Sequence, residues 1–206
     1  MLAQTHTAAE IHGMPHSVSP RSVSIDLPRW IADVVDWTKP LATDQDRMRL
    51  AIQLSRENVE RSTGGPFGAI IVEQKSGMIV GVGMNSVVRL HNCTLHGEMV
   101  AIMMAQARVK SFTLAADGMP AHDMVTSCEP CAMCLGAALW SGVKRVVCGA
   151  GREDATRLKF EEGPVFPESY KYLEDRGVSI VRNVLRNEAR DVLERYRATG
   201  GKIYNA

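Results

Sequence analysis

Long apolar runs are missing from this sequence. No stretch approaches the roughly 18 apolar residues of a membrane helix, so no helical span is expected. An excess of one charge is missing too. Lys and Arg total 24 against 23 Asp and Glu, a net charge of +1, and a chain built mainly to grip phosphate backbone is usually far more basic. A disulfide framework is also lacking. The five cysteines (Cys93, Cys128, Cys131, Cys134 and Cys148) are odd in number and unevenly spaced, unlike a small secreted scaffold. The first residues, MLAQTHTAAEIHGMPHSV, have no basic start followed by an apolar stretch, so no secretory signal is expected. Reduced thiols in a cytoplasmic protein fit better, and three cysteines within 128–134 ask for a metal or redox explanation.

What is present is ordinary for a globular domain: 45% hydrophobic and 23% charged among 206 residues. Residues 1 to about 24 have no apolar period and read as an irregular arm. Trp30, Ile31, Val34 and Val35 fall at helical spacing after Pro28. The segment 1–42 is therefore expected to be an arm with a short helix, and 43–206 the main domain. Thr43 with Asp46 resembles a capping box, and Met48, Ile52 and Val59 continue one helical face as far as Gly64-Gly65-Pro66. The β-rich runs 67–73 and 78–84 form a hairpin through 74–77. Residues 98–109 form a helix that is apolar nearly all round, expected to be buried. A strand at 124–126, a helix at 130–140 opened by Pro130 and a strand at 143–148 follow. Beyond a loop at 151–167 with one helical turn come a helix at 170–175, a strand at 178–184 and an amphipathic helix at 188–197. Five strands alternating with helices predict an α/β fold, a three-layer αβα sandwich around a mixed five-stranded sheet.

His96-Gly97-Glu98 and Pro130-Cys131-Ala132-Met133-Cys134 carry the chemistry. Cys131 and Cys134, at i and i+3, point the same way. The positive end of a helix dipole favours their thiolates. With the neutral imidazole of His96 they make a three-ligand zinc site with a fourth tetrahedral position for water or hydroxide. Glu98 lies about 200° around an ideal helix from His96. Both reach one centre only if it lies beyond the helix end, so the metal is expected between the N-termini of helices 98–109 and 130–140. There Glu98 is placed to move protons. A CxxC could instead be a redox pair, or its thiols buried small hydrophobes. A closed structural zinc site needs a fourth ligand, for which Cys128 is the candidate, although it precedes the helix and should face elsewhere.

H-x-E followed by P-C-x-x-C is a signature of zinc nucleobase deaminases, and at these residues the chain resembles the cytidine deaminase-like superfamily. It is most similar to the guanine deaminase branch, some members of which also deaminate the triazine ammeline. The matching stretches are GGPFGAIIVE (64–73), GMNSV (83–87), LHGEMVAI (95–102), TSCEPCAMCLGAALWSGVKRVVCGA (126–150), FEEGP (160–164) and the terminal IYNA. Gly97 departs from the commoner Ala and leaves the ligand and the shuttle in place. The resemblance implies one Zn2+ per subunit held by His96, Cys131 and Cys134, with Glu98 as proton shuttle. It implies that Asn85 hydrogen-bonds the ring and that Glu162 contacts the ring and the departing amine. Phe67 and Trp140 would wall the pocket, and Tyr204 would close it, in its own subunit or across a homodimer interface. On residue type alone, Asn85 is equally a turn residue, Phe67 and Trp140 core residues, and Glu162 half of a solvated acidic pair. The expected reaction is guanine to xanthine and ammonia. Cytosine, a nucleoside or a tRNA adenosine are the alternatives, with a non-catalytic zinc-stabilised binding module more remote. The last helix mixes Arg190, Arg195 and Arg197 with Glu188, Asp191 and Glu194, a poor track for tRNA.

Overall fold

The structure, a computed structural model, describes residues 21–204. Most of the expected arm and the last two residues of IYNA lie outside the described residues. In chain order the elements are α1 (Ile31–Val34), α2 (Asp44–Glu60), β1 (Gly68–Glu73), β2 (Ile79–Met84), α3 (Gly97–Val109), β3 (His122–Cys128), α4 (Ala132–Ser141), β4 (Arg145–Ala150), α5 (Arg152–Thr156), α6 (Pro167–Glu174), β5 (Ser179–Val181) and α7 (Arg186–Ala198).

The sheet runs β2-β1-β3-β4-β5. β1 is antiparallel to β2 and β3, whereas β3, β4 and β5 are parallel. Side chains alternate along a strand. Ile70 and Val72 therefore join Val125 and Val147 on one face, packed on Met48, Ile52 and Leu54 of α2 and Leu193 of α7. Ala69 and Ile71 join Met124 and Val146 on the other, under Ala101 and Ala105 of α3 and Leu135 and Ala138 of α4. This is the expected three-layer sandwich with a mixed five-stranded sheet. Trp30, Ile31 and Val35 pack into the α2 side of the core, so the short first helix lies on the domain.

Local chemistry explains the boundaries. Thr43 and Asp46 form the capping box: the Asp46 N–H donates to the Thr43 hydroxyl at 3.1 Å, and the Thr43 N–H donates to the Asp46 carboxylate at 3.3 Å. α2 stops at Glu60, before the glycines, and Ser62 already turns at φ 55°. α4 begins two residues after Pro130, with Cys131 as its N-cap. β5 is only three residues long, because the chain bends at Asn183 and Leu185, both at positive φ, into α7. The expectation that the 98–109 helix is fully buried is corrected. Ala101 and Ala105 of α3 pack on the sheet and Val100 is buried, while Met103 and Met104 are half-buried and Ala107 exposed, as suits an outer layer.

α3 sits unusually close to β2. A Cβ on Gly83 would lie 2.2 Å from the Gly97 carbonyl oxygen, and one on Gly81 would lie 2.6 Å from that of Ala101. Only bare backbone at these two positions lets the N-terminus of α3 reach the end of β2.

Candidate active site

β1 begins, and β2, β3 and β4 end, at the same edge of the sheet. The segments leaving that edge carry Phe67, Asn85, Glu129 and Arg152. The carboxyl ends of parallel strands are where α/β proteins characteristically bind ligands.

Two helix N-termini converge at this edge. His96 is the N-cap of α3 and Cys131 that of α4, and neither spends its side chain on capping its helix. Cys134 is the third residue of α4. The Cys131 and Cys134 sulfurs lie 3.5 and 3.7 Å from His96 Nδ1. Among the described residues these three form the group of His, Cys and acidic side chains able to hold a metal, with all ligand atoms within 4.8 Å of one another. Bonds of about 2.3 Å to sulfur and about 2.0 Å to nitrogen around a tetrahedral zinc place sulfur and nitrogen about 3.5 Å apart, so the donor set fits that ion. Cys128 is no fourth ligand. Its thiol is buried in the α2-side core and donates to the Gly151 carbonyl at 3.7 Å.

The electrostatics agree with a cation site. A hydrogen bond from Cys134 draws the Cys131 thiol down to about 4 against the effect of burial, and His96 adds to it. Cys134, as the donor, is pushed well up. Burial opposes a charged His96, but the Cys131 sulfur and Glu98 outweigh it and raise it. Two thiols that share a proton in this way both become thiolates only beside a cation.

A cavity opens against His96 and Cys131. Glu98, Glu162, Asn85, Phe67, Glu129 and Tyr204 complete its lining. Burial raises the Glu98 carboxyl, and the charge on Cys131 adds to this. Burial also pushes Glu162 up to about 8, helped by the charges of Cys131 and Glu98. Of the acidic pair, Glu161 is exposed and Glu162 is 7% exposed. The Asn85 carboxamide oxygen accepts from the Val87 N–H at 3.3 Å. Tyr204 packs its ring on Phe160 at 5.2 Å between centroids, and its hydroxyl is buried with no hydrogen-bond partner among the described residues. Phe160 in turn meets Phe67 edge-on at 5.0 Å.

Trp140 is a correction. It is 81% exposed on the last turn of α4 and does not line the cavity. Nine residues separate it from Cys131, about 13 Å along a helix axis at 1.5 Å per residue, so it stands at the wrong end of α4 to wall the site.

Two contributors escaped the sequence reading. Asn58, fully buried on α2, donates its side-chain amide to the carbonyls of Gly65 and Asn85, each at 2.9 Å, and so ties the start of β1 to the end of β2. The signal was a polar residue on the core-facing side of an amphipathic helix. Glu129, inside SCEPC, lines the cavity and pairs with Arg182 at 2.8 Å. Nothing in its residue type separates it from a solvated loop acid.

A family model of the cytidine and deoxycytidylate deaminase zinc-binding region matches residues 41–150. A guanine deaminase of Bacillus subtilis is 37% identical over 64% of this chain and 80% of its own length. A tRNA-specific adenosine deaminase of Buchnera aphidicola is 30% identical over 64% of this chain and 79% of its own. The solved structure of a guanine deaminase from Nitrosomonas europaea superposes with a TM-score of 0.83 at 36% identity, covering 88% of this chain and 99% of that one. A structure solved with 2,6-diaminopurine bound has a TM-score of 0.83 at 38% identity, over 89% of this chain and 97% of that one. With the matched region spanning both helix N-termini that carry the candidate ligands, the chain belongs to the cytidine and deoxycytidylate deaminase zinc-binding family.

Proposed function

We propose that this protein hydrolyses a free amino-heterocycle, guanine foremost, to xanthine and ammonia, with ammeline and related triazines as further substrates. The observation that carries the reading is the cavity itself: a metal-ligand triad and two buried carboxyls, Glu98 and Glu162, around one small enclosed space. The similarity to guanine deaminases of two organisms favours a purine.

His96, Cys131 and Cys134 would hold one zinc per subunit, and the ion would supply the Lewis acidity that lowers the pKa of water to about 7. In the net reaction the oxygen of water becomes bonded to C2 of guanine, and the bond from C2 to its exocyclic nitrogen breaks. Glu98 takes one proton from water to the ring nitrogen beside C2, and then carries the second, from the new C2 hydroxyl, to the exocyclic nitrogen, which leaves as ammonia as the C2 carbonyl forms. General acid–base help of this kind contributes about 10²–10⁴-fold. Glu162 accepts from ring and amine N–H groups along one edge of the base. Asn85 fixes the ring, Phe67 covers one face, and the Tyr204 hydroxyl finds in the substrate the partner it lacks among the described residues. Closure of the cavity by the chain's own Tyr204 favours a free base over one in a polynucleotide, whose backbone needs an open mouth.

Phe112 and Trp140 are 90% and 81% exposed. They stand at one end of the α3–α4 layer, where the Leu114 N–H donates to the Ser141 carbonyl at 2.7 Å. This apolar end supports a homodimer with a second copy seated on it. Five unpaired thiols fit the reducing cytoplasm, and no described helix is long and apolar enough to cross a membrane.

The test is ammonia release from guanine, ammeline, 8-oxoguanine, cytosine, adenine and their nucleosides. Guanine is expected to give the highest kcat/KM. Preference for cytosine, a nucleoside or tRNA would replace guanine within the same chemistry, and no turnover of any would leave a binding module.

A further inference from the structure

Glu162 sits in an irregular segment between α5 and α6, yet its carboxyl is held inside the cavity. The Ala132 N–H, beside the Cys131 N-cap, donates to the Glu162 carbonyl at 3.0 Å. On the other flank Arg152, the first residue of α5, donates from Nη2 to the Gly163 carbonyl at 2.8 Å and from Nη1 to the Val165 carbonyl. These carbonyls follow Glu162 by one and three positions. Gly163 turns at φ 68°, and a Cβ there would come 3.1 Å from the Ala132 Cβ, so the segment fits closely against the start of α4. Arg152 is itself anchored: its N–H donates to the Glu129 carboxylate at 3.4 Å. Glu129 is gripped in turn by Arg182 Nε at 2.8 Å and the Tyr170 hydroxyl at 3.3 Å. Arg152 does not line the cavity.

We infer that Arg152 is a positioning residue for the reaction: its guanidinium fork clamps the Gly163 and Val165 carbonyls and thereby aims the Glu162 carboxyl at the substrate. The inference rests on the proposed contact between Glu162 and the substrate. A planar fork with five donors in fixed geometry suits two carbonyls at once, whereas a lysine ammonium on a flexible stem does not.

The test is a double-mutant cycle on the zinc-loaded enzyme, read beside amide hydrogen exchange of peptides covering 129–140 and 160–166. Arg152→Ala is expected to lower kcat/KM for guanine about tenfold or more, and Arg152→Lys less, with zinc content and melting cooperativity retained. In a Glu162→Gln background, Arg152→Ala is expected to lower it less than about twofold further, because residues that act through one another are not additive. Exchange in 160–166 is expected to rise in Arg152→Ala. Multiplicative losses in the cycle, or unchanged exchange with wild-type kcat/KM, would overturn the inference. A wild-type protein that leaves guanine untouched, while exchange in 160–166 still depends on Arg152, would sink the guanine reading and leave the clamp standing.

Discussion

The Tyr204 hydroxyl stands over the bare Cα of Gly65: a Cβ built on Gly65 would lie 2.4 Å from it. The C-terminal segment thus seats on a glycine at the mouth of β1, with the Tyr204 ring against Phe160. A methyl group there has to displace the ring. Gly65→Ala is expected to raise KM for guanine about tenfold with zinc content unchanged. Tyr204→Phe keeps the ring and is expected to lose about 2–10-fold, the worth of one hydrogen bond. Steady-state kinetics checks both, and wild-type values for both variants would remove the tail from the site.

Asn58 supports the site from beneath. Its amide satisfies two buried carbonyls, those of Gly65 and Asn85. Asn58→Ala leaves the Asn85 carbonyl without this donor, while the Gly65 carbonyl keeps the Phe67 N–H at 2.9 Å, and one buried group that loses its partner costs about 1–3 kcal/mol. A urea midpoint lowered accordingly, together with a higher KM because Asn85 moves, is the expected outcome. An unchanged midpoint would mean that the Asn85 carbonyl finds another partner.

α5, which carries Arg152, is fixed at its start by Asp154. The Gly151 N–H donates to Asp154 at 3.0 Å and Arg186 Nε pairs with it at 2.9 Å. Burial pushes the Asp154 carboxyl up, but Arg186 and the Gly151 N–H outweigh it, and the net shift is downward from 3.8. A folded value below the unfolded one stabilises the protein above the unfolded pKa, and this stability is lost as pH falls through the folded value. Asp154→Asn is therefore expected to be less stable than wild type at pH 7 by about 1–3 kcal/mol. The gap should be constant down to about pH 5 and close below the unfolded value of about 3.9. Urea unfolding at pH 7, 5 and 3 checks this, and a gap that widens on acidification would contradict it.

Metal removal has a defined signature. Cys134→Ser is expected to purify with less than stoichiometric zinc and a lowered Tm. Chelation of the wild-type protein is expected to lower Tm in the same way, with zinc restoring it, because binding to the folded state alone stabilises it by mass action. A chelated protein with the wild-type Tm would show that the ligands contribute nothing to the fold.

The layers, the mixed five-stranded sheet and the grouping of His96, Cys131 and Cys134 were legible because they follow from local rules. Period-2 alternation separates Ala69 and Ile71 from Ile70 and Val72, and the Thr43–Asp46 box marks the start of α2. The 200° between His96 and Glu98 required a metal beyond the helix end, and His96 proves to be the N-cap of α3. What was not legible depends on depth or on distant partners. Trp140 shares an apolar helix with Cys134, and sequence spacing alone does not say which end of that helix meets the cavity. Asn58 and Arg152 act through carbonyls of other segments, which leave no mark in the residue types nearby. The buried pair of Arg47 and Asp123, 2.8 Å apart, is of the same kind, two charges made compatible with burial by a partner 76 residues away.

The most direct measurement is zinc content and ammonia release on one preparation of Glu98→Gln beside wild type. Glu98 is buried beside the His96–Cys131–Cys134 triad and lines the same cavity without being one of its ligands. The expected result is one zinc per chain in both proteins, xanthine and ammonia from guanine in the wild type, and a rate in the variant lower by at least about 10²-fold. A variant that keeps its zinc and turns over guanine at the wild-type rate would contradict the account at its centre.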